Sequence, residues 1–190
     1  MTVRQLFMIG AFSVVAAAVA VSPAAAQVAE TFTATATVKT ASGATATAPV
    51  TIVVDRKMPQ AEADRLVETF KTGGAAALRK ALVGVSPTGT VRLGTQAATP
   101  TRLTIERPTD KGRLITIVAD QPIVYLGAGV PGAKAKEGYD FAIIDIEVDA
   151  KGAGSGTLAG AAKITLKQGI FVVEDYASEL VRLTNVTKGK

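Results

Sequence analysis

Three carboxylates alternate with apolar residues in the segment FAIIDIEVDAK, residues 141–151. Asp145 and Glu147 lie two positions apart, so in a strand both project from the same face with Cα atoms roughly 6.5 Å apart. That spacing is compatible with the paired carboxylates of a glycoside hydrolase. Alternating acids are more often a solvated strand face, and the chain has no Trp and only three Tyr to form a sugar platform. Asp145 and Glu147 are therefore the catalytic candidates of an alternative, hydrolytic function.

A glycine-rich segment follows this strand, and Gly154–Ala159 read GSGTLA, which matches the G-x-G-x-x-A pattern of dinucleotide-binding turns. Glu174 lies about 20 residues beyond Gly154, where an acid that binds the ribose would belong. However, the acids before the glycines would repel a pyrophosphate, and their alternation is not that of a parallel strand buried on both faces. The even-numbered residues 158–166 are apolar or Gly and fit one face of a strand. We therefore predict a strand there, a bend or bulge at the glycines, and no nucleotide cofactor.

Composition excludes several other chemistries. The chain has neither His nor Cys, which excludes a Ser-His-Asp triad, a Cys-His pair and the usual zinc sites. Asp145, Glu147 and Asp149 imitate the first ligands of an EF-hand loop, but Ala150 and Gly156 stand where that loop needs Gly and Glu. We predict neither a metal nor a cofactor.

Four further residues are candidates for binding a ligand. Tyr139 and Tyr176 lie at strand or loop borders, where a half-buried Tyr keeps its hydroxyl in water. Arg113 and Lys163 fall in predicted strands and could line a pocket for an anionic ligand, although such residues more often face solvent. The net charge of +5 is spread along the chain without a basic run, so no nucleic-acid surface is predicted.

The periodicity of the chain predicts the elements that position these residues. Alternation over residues 31–54, with a turn at Ala41-Ser42-Gly43, predicts a long hairpin. Helical spacing over residues 59–83, interrupted at Gly73-Gly74, predicts two short helices. Strand patterns then continue to residue 186, and residues 126–138 are predicted to be a mobile loop. We predict an α+β fold: a curved antiparallel sheet or partial barrel of about eight or nine strands, packed against two short helices.

The amino terminus predicts export. One charge at Arg4, a short apolar run and the Ala-rich exit at Ala24–Ala26 are typical of a secretory signal peptide, with cleavage expected between Ala26 and Gln27. We predict a signal peptide over 1–26, export through the Sec route to the periplasm or the medium, and one domain over 27–190. No later segment has the length and apolarity of a transmembrane helix.

Several short motifs carry a resemblance. The segments GGAAALRKAL, GRLITIVADQPI, DAKGAGSGTLAGAAKI and EDYASELVRLTNV resemble a group of small exported bacterial proteins with no assigned function, over roughly residues 58–187. The resemblance implies a bacterial origin and export, and it supplies no substrate or catalytic residue. Its members are expected to carry Asp-Arg-Pro at Asp120-Gln121-Pro122 and an acid near Ser155.

The leading functional hypothesis is an exported, non-enzymatic binding or interaction protein. An apolar space between sheet and helices would hold a small hydrophobic ligand, or a sheet edge would hold an envelope protein. The first alternative is a carboxylate-dependent hydrolase that uses Asp145 and Glu147, and the second is a structural envelope protein.

Overall fold

The computed structural model describes residues 29–39, 45–123, 137–168, 170–176 and 180–189. The predicted signal peptide and most of the predicted loop over 126–138 lie outside these residues. The described elements are, in chain order, β1 (Glu30–Lys39), β2 (Thr45–Val54), α1 (Gln60–Val83), β3 (Gly89–Leu93), β4 (Thr99–Thr101), β5 (Leu103–Thr109), β6 (Gly112–Ala119), β7 (Phe141–Val148), β8 (Ala153–Lys167), β9 (Ile170–Tyr176) and β10 (Val181–Lys188). Among these residues, no helix combines the length and the apolar character that a membrane crossing requires.

The strands form one antiparallel sheet that curves into a nearly closed barrel. Nine strands follow one another in the order β4-β3-β2-β1-β10-β8-β7-β6-β5, and β9 pairs with β8 beside this path. Only Arg102 separates β4, which pairs with β3, from β5, which pairs with β6. This bent segment therefore joins the two ends of the sheet. The predicted antiparallel sheet, its partial barrel form and the β1–β2 hairpin are confirmed.

Alternation along the strands fills the barrel interior with apolar side chains. In β1 the buried residues are at every second position, and β2 repeats the pattern in register. Interior-facing residues of seven strands form one core cluster, which includes Phe32, Ile52, Ile115, Ile146 and Leu158. Burial of these side chains provides the main hydrophobic stabilisation of the sheet.

A second core lies outside the barrel, under α1. Leu66, Leu78 and Leu82 of the helix pack in one cluster with outward-facing residues of β5 to β9 such as Phe141 and Phe171. The prediction of two separate helices is not confirmed, because one helical element spans the whole range. Gly74, whose φ of 66° and ψ of −162° are not helical, lies at a kink where two helical segments meet within this element, at the predicted interruption.

The long strand β8 connects the two cores. One edge of β8 pairs with β7, while its other edge pairs with β10 near the start and with β9 near the end. The β8–β9 hairpin reaches the helix, where Phe70 and Phe171 meet edge to face with ring centroids 5.6 Å apart. The predicted strand after the glycines is therefore confirmed.

The glycines of β8 allow the close approach of β7. A Cβ atom at Gly154 would lie 1.9 Å from the carbonyl oxygen of Glu147, and one at Gly156 would lie 2.2 Å from that of Asp145. Real side chains do not tolerate such distances, so these two positions require glycine. Both lie inside β8 in regular register with β7, so the bend or bulge predicted at the glycines is not found in this pairing. The G-x-G-x-x-A pattern thus reflects strand packing, and the preceding turn is set by Asp149.

Candidate functional site

Five charged side chains close one end of the barrel, and we call them the ionic cluster: Glu30, Lys57, Glu106, Arg113 and Lys188. Glu30 is the first residue of β1 and lies on the same face of that strand as the buried Phe32. Lys188 of β10 is the strand partner of Phe32. Arg113 is in phase with the buried Ile115 of β6, and Glu106 of β5 lies opposite Ile115. Pairing and alternation therefore turn these four strand residues toward the interior.

Arg113 is the centre of the ionic cluster. Its guanidinium donates two hydrogen bonds to Glu30, at 2.9 and 3.0 Å, and a third to Glu106 at 2.7 Å. The Nζ of Lys188 donates to Glu30 at 2.6 Å, and the Nζ of Lys57 lies 2.7 Å from an Oε of Glu106. The guanidinium carbon also lies 5.9 Å from the ring centroid of Phe32. The paired charges of the cluster therefore lie over the ring of Phe32 at this end of the barrel.

The cluster keeps its carboxylates ionised. Burial alone would raise the pKa of Glu30, but hydrogen bonds from Arg113 and Lys188 outweigh it and lower the pKa from 4.5 to about 2. Burial also opposes the shift at Glu106, where Lys57 and Arg113 together lower the pKa. The hydrogen bonds to Glu30 raise the pKa of Arg113 against the effect of its own burial. Arg113, predicted as an anion-binding candidate, is thus engaged by two carboxylates of its own chain.

The opposite end of the barrel is lined by small residues, and we call it the alanine end: Ala36, Val38, Ala46, Ala48, Ala119 and Ala142. Across paired strands, Ala36 faces Ala48 and Ala119 faces Ala142. Near the ionic cluster the equivalent pairs are Phe32 with Ile52 and Ile115 with Ile146. Val181 and Ile123 also belong to the core at the alanine end. Interior side chains of β1, β2, β6 and β7 therefore become smaller from the ionic cluster to the alanine end, whereas those of β8 become larger, from Gly154 and Gly156 to Leu158.

The predicted acidic pair lies on the outer face of the barrel. Asp145 and Glu147 share that face, in the rows opposite Thr116 and Leu114 of β6. Burial raises the pKa of Asp145, although Thr116 donates a hydrogen bond to its Oδ1 at 2.6 Å. Glu147 has a different role, since its carboxylate lies 3.7 Å from the Nζ of Lys111. The raised pKa of Asp145 would suit a general acid. Glu147 instead forms an ion pair with Lys111 at the surface.

The third acid of the segment, Asp149, organises the turn between β7 and β8. Its Oδ1 accepts hydrogen bonds from the backbone N–H groups of Lys151 at 2.8 Å and Ala153 at 2.9 Å. The bond from Ala153 is the main cause of the lowered pKa of Asp149. This Asx turn explains the acid that sequence patterns liken to a calcium ligand.

The remaining predicted ligand-binding residues do not gather around Arg113. The hydroxyl of Tyr139 donates to Asp175 of β9 at 2.5 Å, and this hydrogen bond is the main cause of the raised pKa of Tyr139. The Nζ of Lys163 lies 3.9 Å from Glu174, the residue before Asp175. The backbone of Tyr176 ends β9 opposite Ala162. Tyr139 and Lys163 therefore contact the acids of β9, whereas Arg113 contacts β1 and β5.

Sequence patterns miss four members of the ionic cluster, although one signal was present. Glu30 stands in phase with the apolar residues of β1, so its charge occupies an interior position. Such a position requires a buried cation as partner. The partner is Arg113, which lies 83 residues further along the chain and therefore cannot be identified from the local sequence.

Comparison with protein-family models, with curated proteins and with solved structures found no match for this chain. Within the described residues, no group of three or more metal-ligating side chains is arranged to hold a metal ion. The candidate site is the apolar interior at the alanine end of the barrel.

Proposed function

We propose that this chain is an exported, non-enzymatic binding protein that takes a small hydrophobic ligand at the alanine end of its barrel. The observation that carries the proposal is the decrease in side-chain size along the interior of β1 and β2, from Phe32 and Ile52 beside the ionic cluster to Ala36 and Ala48 at the opposite end. Barrels of this strand number are either filled by their side chains or hold one small ligand. The small side chains at the alanine end favour a barrel that holds one small ligand.

The lining also restricts the chemistry of the ligand. The alanine end offers methyl and isopropyl groups, which bind through apolar contact and supply no side-chain hydrogen bonds. Among the residues that the structure describes, the charged side chains of the interior lie at the other end and are already paired. The ligand is therefore a slender uncharged apolar molecule, or the apolar tail of a larger one.

Native mass spectrometry of protein recovered from the exported fraction tests this proposal. We expect a bound apolar compound that is released when the protein is denatured. Protein that carries no such compound, and that binds none from a total lipid extract, contradicts the ligand-binding function. Ligand-free protein that self-associates on size exclusion would instead favour a structural role in the envelope.

The raised pKa of Asp145 favours a second candidate function, a hydrolase that uses Asp145 as acid and Glu147 as its partner. In that case wild-type protein hydrolyses a panel of nitrophenyl glycosides, and Asp145→Asn removes the activity while the fold is retained. Equal rates for wild type and Asp145→Asn would exclude this function.

A further inference from the structure

A large part of the outer barrel surface carries mainly threonine and cations, with Pro49 and Val53 among them. The strands β3, β2, β1 and β10 are consecutive neighbours in the sheet, and α1 packs on the other side, over β5 to β9. We call the outer surface of these four strands the threonine face. Its threonines are Thr31, Thr33, Thr35, Thr37, Thr45, Thr47, Thr51, Thr90, Thr184 and Thr187.

Strand pairing arranges these threonines as a grid. Thr187, Thr33 and Thr51 lie side by side across three strands, and Thr33 and Thr187 hydrogen-bond through their hydroxyls at 3.0 Å. Neighbouring strands are about 4.8 Å apart, and same-face residues repeat about every 6.7 Å along a strand. A grid with two fixed repeats suits an extended ligand with repeating hydrogen-bonding groups.

The charges of the threonine face all have one sign. Lys39, Arg92 and Arg182 point outward and are exposed, and they have no ion pair within the described residues. The described part of this face contains neither a carboxylate nor an aromatic side chain. Elsewhere on the surface, cations such as Arg56, Arg79 and Lys111 are paired with acids. The face therefore offers free cations and hydroxyl donors without competing anions.

The spacing of the cations sets the size of the ligand. Arg92 lies in the row of Thr33, and Arg182 lies in the row of Thr37 on the far side of β1. Three strand separations and four residues along the strand place the two Cα atoms roughly 20 Å apart. A small anion cannot contact both arginines, whereas a polymer with repeated negative groups can.

From this charge pattern we propose that the threonine face binds an anionic polysaccharide. Carboxylate, sulfate or phosphate groups of the polymer accept from Arg92, Arg182 and Lys39, and its hydroxyls pair with the threonines between them. A single-stranded nucleic acid is less suited, since its bases need the aromatic stacking platforms that the described face lacks. This surface is separate from the alanine end, so the two proposals can fail independently.

Binding of dextran sulfate, with uncharged dextran as control, tests the proposal. We expect dextran sulfate to bind at low salt and to dissociate as salt rises, while dextran does not bind. The double variant Arg92→Gln/Arg182→Gln should bind roughly fivefold more weakly or worse. Thr33→Val/Thr37→Val, which keeps the shape and removes two hydroxyls, should cause a smaller loss.

The matched control is Arg65→Gln/Lys80→Gln, which removes two exposed cations from α1. This control should bind dextran sulfate as wild type does. Equal weakening in the two charge-removal variants would show a nonspecific effect of net charge and overturn the proposal. Tighter binding to single-stranded DNA than to dextran sulfate would also overturn it.

Discussion

Glu30 and Asp145 are two carboxyl groups whose pKa values move in opposite directions. Burial favours the neutral form of both, but Glu30 accepts hydrogen bonds from two cations, whereas Asp145 accepts one from the Thr116 hydroxyl and is attracted by the charge of Arg107 without a hydrogen bond between them. The cations outweigh burial at Glu30, whereas Thr116 and Arg107 together do not outweigh it at Asp145. Protonation should therefore affect protein stability with opposite sign at these two positions.

Glu30→Gln should destabilise the protein near neutral pH, on the order of 2 kcal/mol, because it removes the negative charge that accepts three hydrogen bonds from cations in a partly buried site. The folded-state pKa of about 2 lies below the ordinary 4.5. The stability that Glu30 contributes is thus fully present above pH 4.5 and is lost as pH falls toward 2. Urea unfolding of both proteins from pH 7 to pH 2 checks this, and a difference that stays constant across that range would contradict it.

Asp145→Asn should have the opposite effect and stabilise the protein at pH 7, by up to about 1 kcal/mol. A raised folded-state pKa means that the stability is complete below the ordinary value of 3.8 and is lost as pH rises through the folded-state value. The advantage of the variant should therefore vanish in acid. Thermal unfolding at pH 7 and pH 3 measures it, with Asp110→Asn in the exposed β5–β6 turn as control.

At the scale of the element, alternation in the sequence was sufficient to predict strands but not their partners. Phe32, Ala34, Ala36 and Val38 show the period of β1 directly. The β8 segment was ambiguous, because its glycines fit both a phosphate turn and a bend. In the structure β9 and β10 pair with the same edge of β8. Contacts between distant residues determine this arrangement, so a local sequence pattern does not predict it.

Gly156→Ala should destabilise the protein by roughly 2 kcal/mol or more. Its Cβ would lie 2.2 Å from the carbonyl oxygen of Asp145 and 2.8 Å from a methyl carbon of Ile146, so β7 and β8 must separate. The neighbouring Ser155 is exposed, and Ser155→Ala should change stability by no more than about 0.5 kcal/mol. Chemical denaturation compares them, and equal stabilities would show that the strands approach less closely than described.

For the whole molecule, the antiparallel sheet and its barrel-like curvature were predictable from hydrophobic alternation, whereas its closure was not. The bend at Arg102 that joins β4 and β5 is stabilised by Val85, Val118 and Asp120, which lie in other segments of the chain. The ionic cluster likewise forms only when β1, β5, β6 and β10 come together. The decrease in side-chain size along the interior of β1 and β2, on which the proposed function rests, required the strand register.

Binding of the neutral apolar dye N-phenyl-1-naphthylamine tests the alanine end most directly. The measurement compares wild type with Ala48→Leu, which enlarges a side chain at that end, and with Ala61→Leu on the exposed surface of α1. We predict saturable binding of about one dye by wild type and Ala61→Leu, and its loss in Ala48→Leu with stability changed by less than about 1 kcal/mol. The account is contradicted if wild type binds no dye and Ala48→Leu loses about 1–3 kcal/mol, as expected when leucine is forced into a filled core.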